Sequence, residues 1–193
     1  GTVYDACFSP DGLLIITADW QGVYIWDALT GLEIRKLEDC HGARQLEFTP
    51  DGKQIMAVFG DVGFWSVETG RLLFRLKPEG AKSNLTFARL SPDASHVLCL
   101  DSFGKVLMFD AETGGKFVNL DHHTRKVTHG SFSPDGSLVL LGSEDRTASV
   151  WKVSDGSLIQ VLTGHKGEIN QTAFSPDGNW MATVSDDYTT RLW

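Results

Sequence analysis

A four-residue phrase recurs five times along the chain: Ser9-Pro10-Asp11-Gly12, Thr49-Pro50-Asp51-Gly52, Ser91-Pro92-Asp93-Ala94, Ser133-Pro134-Asp135-Gly136 and Ser175-Pro176-Asp177-Gly178, at steps of 40, 42, 42 and 42 residues. Self-similarity at a fixed period means one supersecondary unit copied in tandem, and a period in the low forties with strand-like content points to propeller blades rather than helical arrays. The spelling has a local cause. Ser or Thr first, Pro second and Gly fourth suit a type I turn, so each phrase reads as a hairpin corner. Ala94 replaces the glycine in the third copy, which either forces a side chain into positive φ or selects a different turn.

A second turn mark follows each of the first four corners, at Thr30-Gly31, Thr69-Gly70, Thr113-Gly114 and Asp155-Gly156. Between the marks lie short runs rich in β-branched and aromatic residues: Leu13 to Ala18, Gln54 to Phe59, His96 to Leu100, Leu138 to Gly142 and Trp180 to Ser185. They read as strands, with Trp180 expected in the core. Their nearly continuous apolar character fits strands covered on both faces. A third strand follows in each unit (Val23 to Trp26, Val62 to Trp65, Val106 to Phe109, Ala148 to Trp151, Thr189 to Trp193), then a more polar outer strand such as Leu32 to Leu37. No helical periodicity stands out. The expected fold is all-β, a propeller with four full four-stranded blades and a three-stranded fifth, in units 1–39, 40–81, 82–122, 123–164 and 165–193. Because the last outer strand is missing, the chain reads as a section of a larger ring, with a closed five-blade ring as the alternative.

Composition narrows the function classes. A formal charge of −8 and a pI near 5.1 argue against a general electrostatic grip on nucleic acid or anionic lipid. No stretch is apolar enough to span a bilayer, and the first residues are neither a signal nor a transit peptide. Cys7, Cys40 and Cys99 are odd in number and scattered over different units, which suits buried thiols in a reducing, cytoplasmic setting.

Polar residues also recur in phase. His165, Ser185, Asp187 and Trp193 repeat 42 residues earlier as His123, Ser143, Asp145 and Trp151, and Gly164-His165 and Trp26-Asp27 stand literally in the sequence. On these residues the chain resembles the WD-repeat β-propeller family, marked by a Gly-His pair near the start of each unit and a Trp-Asp pair near its end. The resemblance implies a hydrogen-bonded tetrad in which the Trp indole bonds a Ser or Thr hydroxyl, the hydroxyl a His, and the His an Asp. By phase these are His123, Ser143, Asp145 and Trp151 in the fourth unit and His165, Ser185, Asp187 and Trp193 in the fifth. The earlier units depart from the pattern. The first keeps Thr17, Asp19 and Trp26 without a His, the second has His41, Asp61 and Trp65 with no hydroxyl in register, and the third carries Phe109 in the Trp slot.

Ser, His and Asp together also spell a hydrolase triad. That reading ranks last, because the group appears twice in phase with the fold, each time with a Trp donor, and no Gly-x-Ser-x-Gly elbow occurs. His122, His123 and His129 invite a metal reading, but His123 is already claimed and no Cys or carboxylate has matching spacing. No phosphate loop is present. No catalytic residue, metal or cofactor is expected.

Function must then come from surfaces. The resemblance implies that partners, other proteins or peptides, dock on the face carrying the His loops and Asp turns. Carried over by phase, the contact positions are Tyr4, Arg44, Asn84, Thr86, Lys126, Thr128, Glu168 and Asn170, with Glu144 and Asp186 just before the turn Asp. Trp20 follows Asp19 in its turn, where it either anchors a partner or packs over a neighbouring loop. The expected function is a non-catalytic interaction scaffold. A regulatory module acting on an attached effector domain is the alternative, and self-association through open blade edges is a further expectation.

Overall fold

The computed structural model describes residues 2–76, 84–118 and 120–193. The boundary expected between residues 81 and 82 lies outside them. Nineteen strands form five antiparallel sheets among the described residues, with no helix. The first sheet holds β1 (Val3–Phe8), β2 (Leu14–Asp19), β3 (Val23–Asp27) and β4 (Glu33–Lys36). The second holds β5 (Gln45–Phe48), β6 (Gln54–Val58), β7 (Val62–Ser66) and β8 (Leu72–Leu76), and the third β9 (Leu85–Leu90), β10 (His96–Asp101), β11 (Val106–Asp110) and β12 (Lys116–Val118). The fourth holds β13 (Val127–Phe132), β14 (Leu138–Ser143), β15 (Ala148–Lys152) and β16 (Leu158–Leu162), and the fifth β17 (Ile169–Phe174), β18 (Met181–Ser185) and β19 (Thr190–Leu192). Every sheet is a meander whose strands pair in chain order. The fold is all-β and the sheets are of the propeller-blade type.

The corners form as their spelling requires. Ser9 Oγ donates to Asp11 Oδ1 at 2.6 Å and accepts the Leu14 amide at 2.9 Å, while Gly12 closes the turn onto the Ser9 carbonyl at 2.9 Å. Thr49, Ser91, Ser133 and Ser175 repeat the hydroxyl-to-Asp bond. These bonds hold the corner carboxylates below their ordinary pKa, Asp93, Asp135 and Asp177 to about 2. Gly12, Gly52, Gly136 and Gly178 take φ between 69° and 73°, and Ala94 takes 57°. The third corner therefore keeps the turn and places a side chain in the left-handed region. The Asp of the Trp-Asp pair closes the second turn: Asp27 Oδ1 accepts the Thr30 amide and hydroxyl, both at 2.7 Å, and Asp110 does the same for Thr113.

Packing falls into two compact units, 1–88 and 89–193, with the division inside β9. In the first, Ile16, Ala18, Val23 and Ile25 pack with Leu46, Phe48, Ile55 and Trp65, so the face of one blade is sealed by the next. In the second, Leu140, Ala148, Val150 and Leu162 pack with Ile169. Burial of β6, β10 and β14 runs along nearly every residue, as two-sided cover requires. Trp180 departs from expectation. It is 57% exposed and precedes β18, at the phase of Leu14, Gln54, His96 and Leu138, a strand-start position that is half-buried in the other blades. Among the described residues no helix is long and apolar enough to cross a membrane.

Candidate interaction surface

Two buried polar chains anchor the loops of the fourth and fifth blades. The Asp145 carboxylate accepts the Thr147 amide and hydroxyl through Oδ1 at 3.0 and 2.6 Å, and through Oδ2 it meets His123 Nδ1 at 2.9 Å and the Thr124 amide at 3.1 Å. With a carboxylate on Nδ1, that nitrogen carries the proton and Nε2 accepts. The hydroxyl facing Nε2 belongs to Ser149, at 2.7 Å, and the same oxygen accepts the Trp151 indole N–H at 2.7 Å. In the fifth blade Asp187 Oδ2 meets His165 Nδ1 at 2.8 Å, and Thr183 Oγ1 lies 2.8 Å from His165 Nε2 and 3.0 Å from Trp193 Nε1.

The hydroxyl of each tetrad is therefore Ser149 or Thr183 and not, as phase suggested, Ser143 or Ser185. The two serines do share one role, which explains their shared phase. Each accepts the amide of the Asp two residues on, at 3.1 Å, and Ser143 also donates to the Lys126 carbonyl at 3.0 Å. The tetrad hydroxyl comes from different strands because it can sit at either end of one cross-strand rung. Leu141 faces Ser149 in the β14–β15 ladder and Thr183 faces Arg191 in the β18–β19 ladder, so a swap across the rung puts an oxygen at the same place.

Blades one and two show what remains when a member is missing. Trp26 Nε1 donates to Thr17 Oγ1 at 2.9 Å, and Asp19 closes its turn with the Gln21 and Gly22 amides. Trp65 Nε1 donates to the Glu38 carbonyl at 2.8 Å, a backbone substitute for the hydroxyl. His41 stands outside any tetrad, exposed, with Nδ1 2.9 Å from the Gln21 carbonyl. Phe109 fills the Trp slot of the third blade fully buried.

The tetrad geometry suits structural bonding. Ser149 and Thr183 are each 0% exposed and saturated by an indole and an imidazole, so neither oxygen can reach a substrate carbonyl. Burial lowers the His123 pKa despite its bonded Asp145, which keeps the ring neutral. Burial also raises Asp145, but the hydrogen bonds from Thr147 and His123 outweigh it and leave the carboxylate below its ordinary value. No group of three His, Cys, Asp or Glu among the described residues could hold a metal.

The candidate contact residues sort into two sets, one in each compact unit. In the second unit Arg125 pairs with Glu168 at 3.8 Å, joining blades four and five, and Asn170 donates to Asp186, whose amide bonds the Glu168 carbonyl. Lys126 is exposed and its carbonyl takes the Glu144 amide. Thr128 differs from a free contact residue: its hydroxyl is spent on the Gly142 and Ile169 carbonyls. In the first unit Tyr4, Trp20 and Arg44 are exposed, Trp20 by 63%, and Asn84 and Thr86 are exposed as well. Tyr4, Thr128 and Asn170 each sit at the bulge that opens the inner strand, a device that turns one side chain out of the ladder. The bulge signal lay in the sequence only as a phase and not as a direction.

The family model for the WD domain, G-beta repeat, matches residues 1–27, 115–152 and 156–193, together a little over half of the chain. The protein belongs to the WD40 family. Among curated proteins it is 29% identical over 119 residues to the serine-threonine kinase receptor-associated protein of Gallus gallus, covering 61% of this chain and 33% of that one. It is 39% identical over 132 residues to a bromodomain and WD repeat-containing protein of Dictyostelium discoideum, covering 62% of this chain and 6% of the other. A third relative, eukaryotic translation initiation factor 3 subunit I of Aspergillus oryzae, is 24% identical over 136 residues, covering 64% and 41%. This WD40 chain thus spans well under half the length of the curated relatives it matches. Relatives of this kind point, at the level of the family, to a general role in protein interaction.

Proposed function

We propose that the chain is a non-catalytic interaction scaffold whose partners, other proteins or peptides, meet the loop surface above the tetrads. The observation that carries this is the pairing of rigid support with polar side chains that reach solvent. The loops bearing Arg125, Lys126, Glu168, Asn170 and Asp186 are tied down by His123–Asp145 and His165–Asp187, while the residues themselves reach solvent. The first unit by itself exposes Tyr4, Trp20 and Arg44, residue types that dominate interface energetics. A formal charge of −8 favours protein over nucleic acid or anionic membrane as the partner. The three cysteines form no disulfide with one another, which supports a reducing, cytoplasmic setting.

Cross-linking with mass spectrometry on the tagged chain tests the reading, comparing wild type with Lys126→Glu, Asn170→Ala and, as control, Leu29→Ala on the second turn of blade one. Partners cross-linked to wild type should be lost with the first two variants and kept with the control. Equal recovery by all three would remove this surface from consideration.

A further inference from the structure

Blade one carries three leucines where the other blades carry polar residues or glycine. Leu13 stands four places after the first residue of its corner, a phase held elsewhere by Lys53, Ser95, Ser137 and Asn179. Leu29 lies three places after Trp26, where other blades have Glu68, Glu112 and Ser154, and Leu32 follows Gly31, where they have Arg71, Gly115 and Ser157. The three leucines are 66%, 94% and 68% exposed. Exposure belongs to the phase and not to the blade's place in the chain. Ser137, Ser154 and Ser157 are exposed too, in a blade packed between two others within its own compact unit. What is peculiar to blade one is the chemistry, and clustered leucines left in water mark a contact surface.

The backbone gathers them. The Leu13 carbonyl accepts the Ala28 amide and the Leu32 carbonyl the Asp27 amide, both at 2.9 Å, so all three crown the end of blade one opposite the Asp19 turn. Carboxylates rim them. The Ser9 hydroxyl holds exposed Asp11, and the Thr30 hydroxyl half-buried Asp27, below the ordinary carboxylate pKa, so both stay charged, and exposed Glu33 follows Leu32. Every amide from Gly12 to Leu14 and from Ala28 to Leu32 is already bonded inside blade one. An incoming strand would find no donors to pair with, so a partner must offer side chains from a backbone that satisfies itself, as a helix does.

We propose that Leu13, Leu29 and Leu32 form a docking surface for a basic amphipathic helix of another protein, its apolar stripe on the leucines and its flanking Lys or Arg against Asp11, Asp27 and Glu33. A second copy of this chain is a poor occupant, since it would set the same carboxylates against one another. The formal charge of −8 turns away an anionic membrane. The surface shares no residue with the loop surface above the tetrads, and its failure leaves that reading intact. A partner held here is kept by Lys126→Glu and weakened by Leu29→Ala, the inverse of one held on the loop surface.

Fluorescence anisotropy on the 193-residue chain tests it. The probe is a labelled model helix of about 18 residues, leucines on one face and lysines on the other, beside a second helix with glutamates for the lysines. The lysine helix should bind the wild type, weaken as salt rises, and lose affinity roughly tenfold or more against the variant with Leu13→Ser, Leu29→Ser and Leu32→Ser. That variant copies blade four at all three places, and near-ultraviolet circular dichroism checks its fold. Glu33→Gln, outside both turns, should weaken the lysine helix roughly threefold whether or not the triple variant folds. No binding to the wild type, equal binding to wild type and triple variant, or equal binding of the two helices would overturn the proposal. So would leucine-dependent self-association on sedimentation, or leucine-dependent flotation with phosphatidylcholine vesicles, since each names a different occupant.

Discussion

Ser149 stands directly opposite Leu141 in the β14–β15 ladder, and that rung lets one blade draw its tetrad hydroxyl from the third strand while the next draws it from the second. The requirement is an oxygen at a point in space between an indole and an imidazole. Either end of the rung can supply it.

Ser149→Ala should therefore cost about 1 to 3 kcal/mol by stranding the Trp151 N–H and His123 Nε2. Adding Leu141→Thr to that variant should recover most of the loss, since it copies the arrangement of Thr183. Urea denaturation of the four members of this double-mutant cycle measures the coupling, and additive effects would show that the rung cannot exchange roles.

His129 gives a pH signature. Burial first, and the neighbouring Arg89 charge second, lower its pKa from 6.5 to about 4. Between those values the unfolded chain takes up a proton that the folded chain refuses, so stability falls as pH drops from 6.5 toward 4 and is flat with respect to this group above 6.5. His129→Gln should flatten that part of a plot of unfolding free energy against pH. His123, also lowered by burial, contributes with the same sign.

Thiol chemistry should separate the cysteines. Burial pushes Cys40 up to about 12 and raises Cys99 further, so neither supplies thiolate near neutrality. Ellman's reagent should modify one thiol per native chain, the half-buried Cys7, and three in denaturant. Rapid modification of all three in the native state would contradict the packing of β10 and of the loop holding Cys40.

Ala94→Gly should raise stability by about 0.5 to 1 kcal/mol. Relief of a left-handed alanine is worth roughly 1 to 2 kcal/mol, offset by the greater freedom of glycine in the unfolded chain, roughly 0.4 to 1 kcal/mol. The φ of 57° at Ala94, against 69° to 73° at the four glycine corners, is the observation behind it. Thermal unfolding of the single variant reads the sign directly.

Much of the architecture was legible because turns and strand spacing are local matters. Ser9, Asp11 and Gly12 make their corner with one another, and the same spelling makes the same corner at each repeat. The tetrads were legible as far as His, Asp and Trp, whose positions follow loop and strand phase. The hydroxyl was not, because phase cannot say which end of a rung carries it, and Ser143 and Ser185 answered to the same phase by serving their own turns. Exposure at Trp180 escaped for a related reason: being apolar and next to a strand does not place a residue on the covered side. The bonds from the Asp5, Gln45 and His129 side chains to the backbone of the following blade were invisible too, since an acid, an amide and an imidazole share no letter in the sequence.

Asp5, Gln45 and His129 each accept a main-chain amide of the following blade, at Leu46, Ala88 and Thr172, and Gln45 also donates to the Ala88 carbonyl; only at Thr172 does the receiving side chain join in, its hydroxyl 3.1 Å from His129 Nδ1. Leu46, Ala88 and Thr172 have nothing else in common. A seam built this way lets neighbouring repeats drift apart in spelling, one substitution at a time, without either having to match a change in the other.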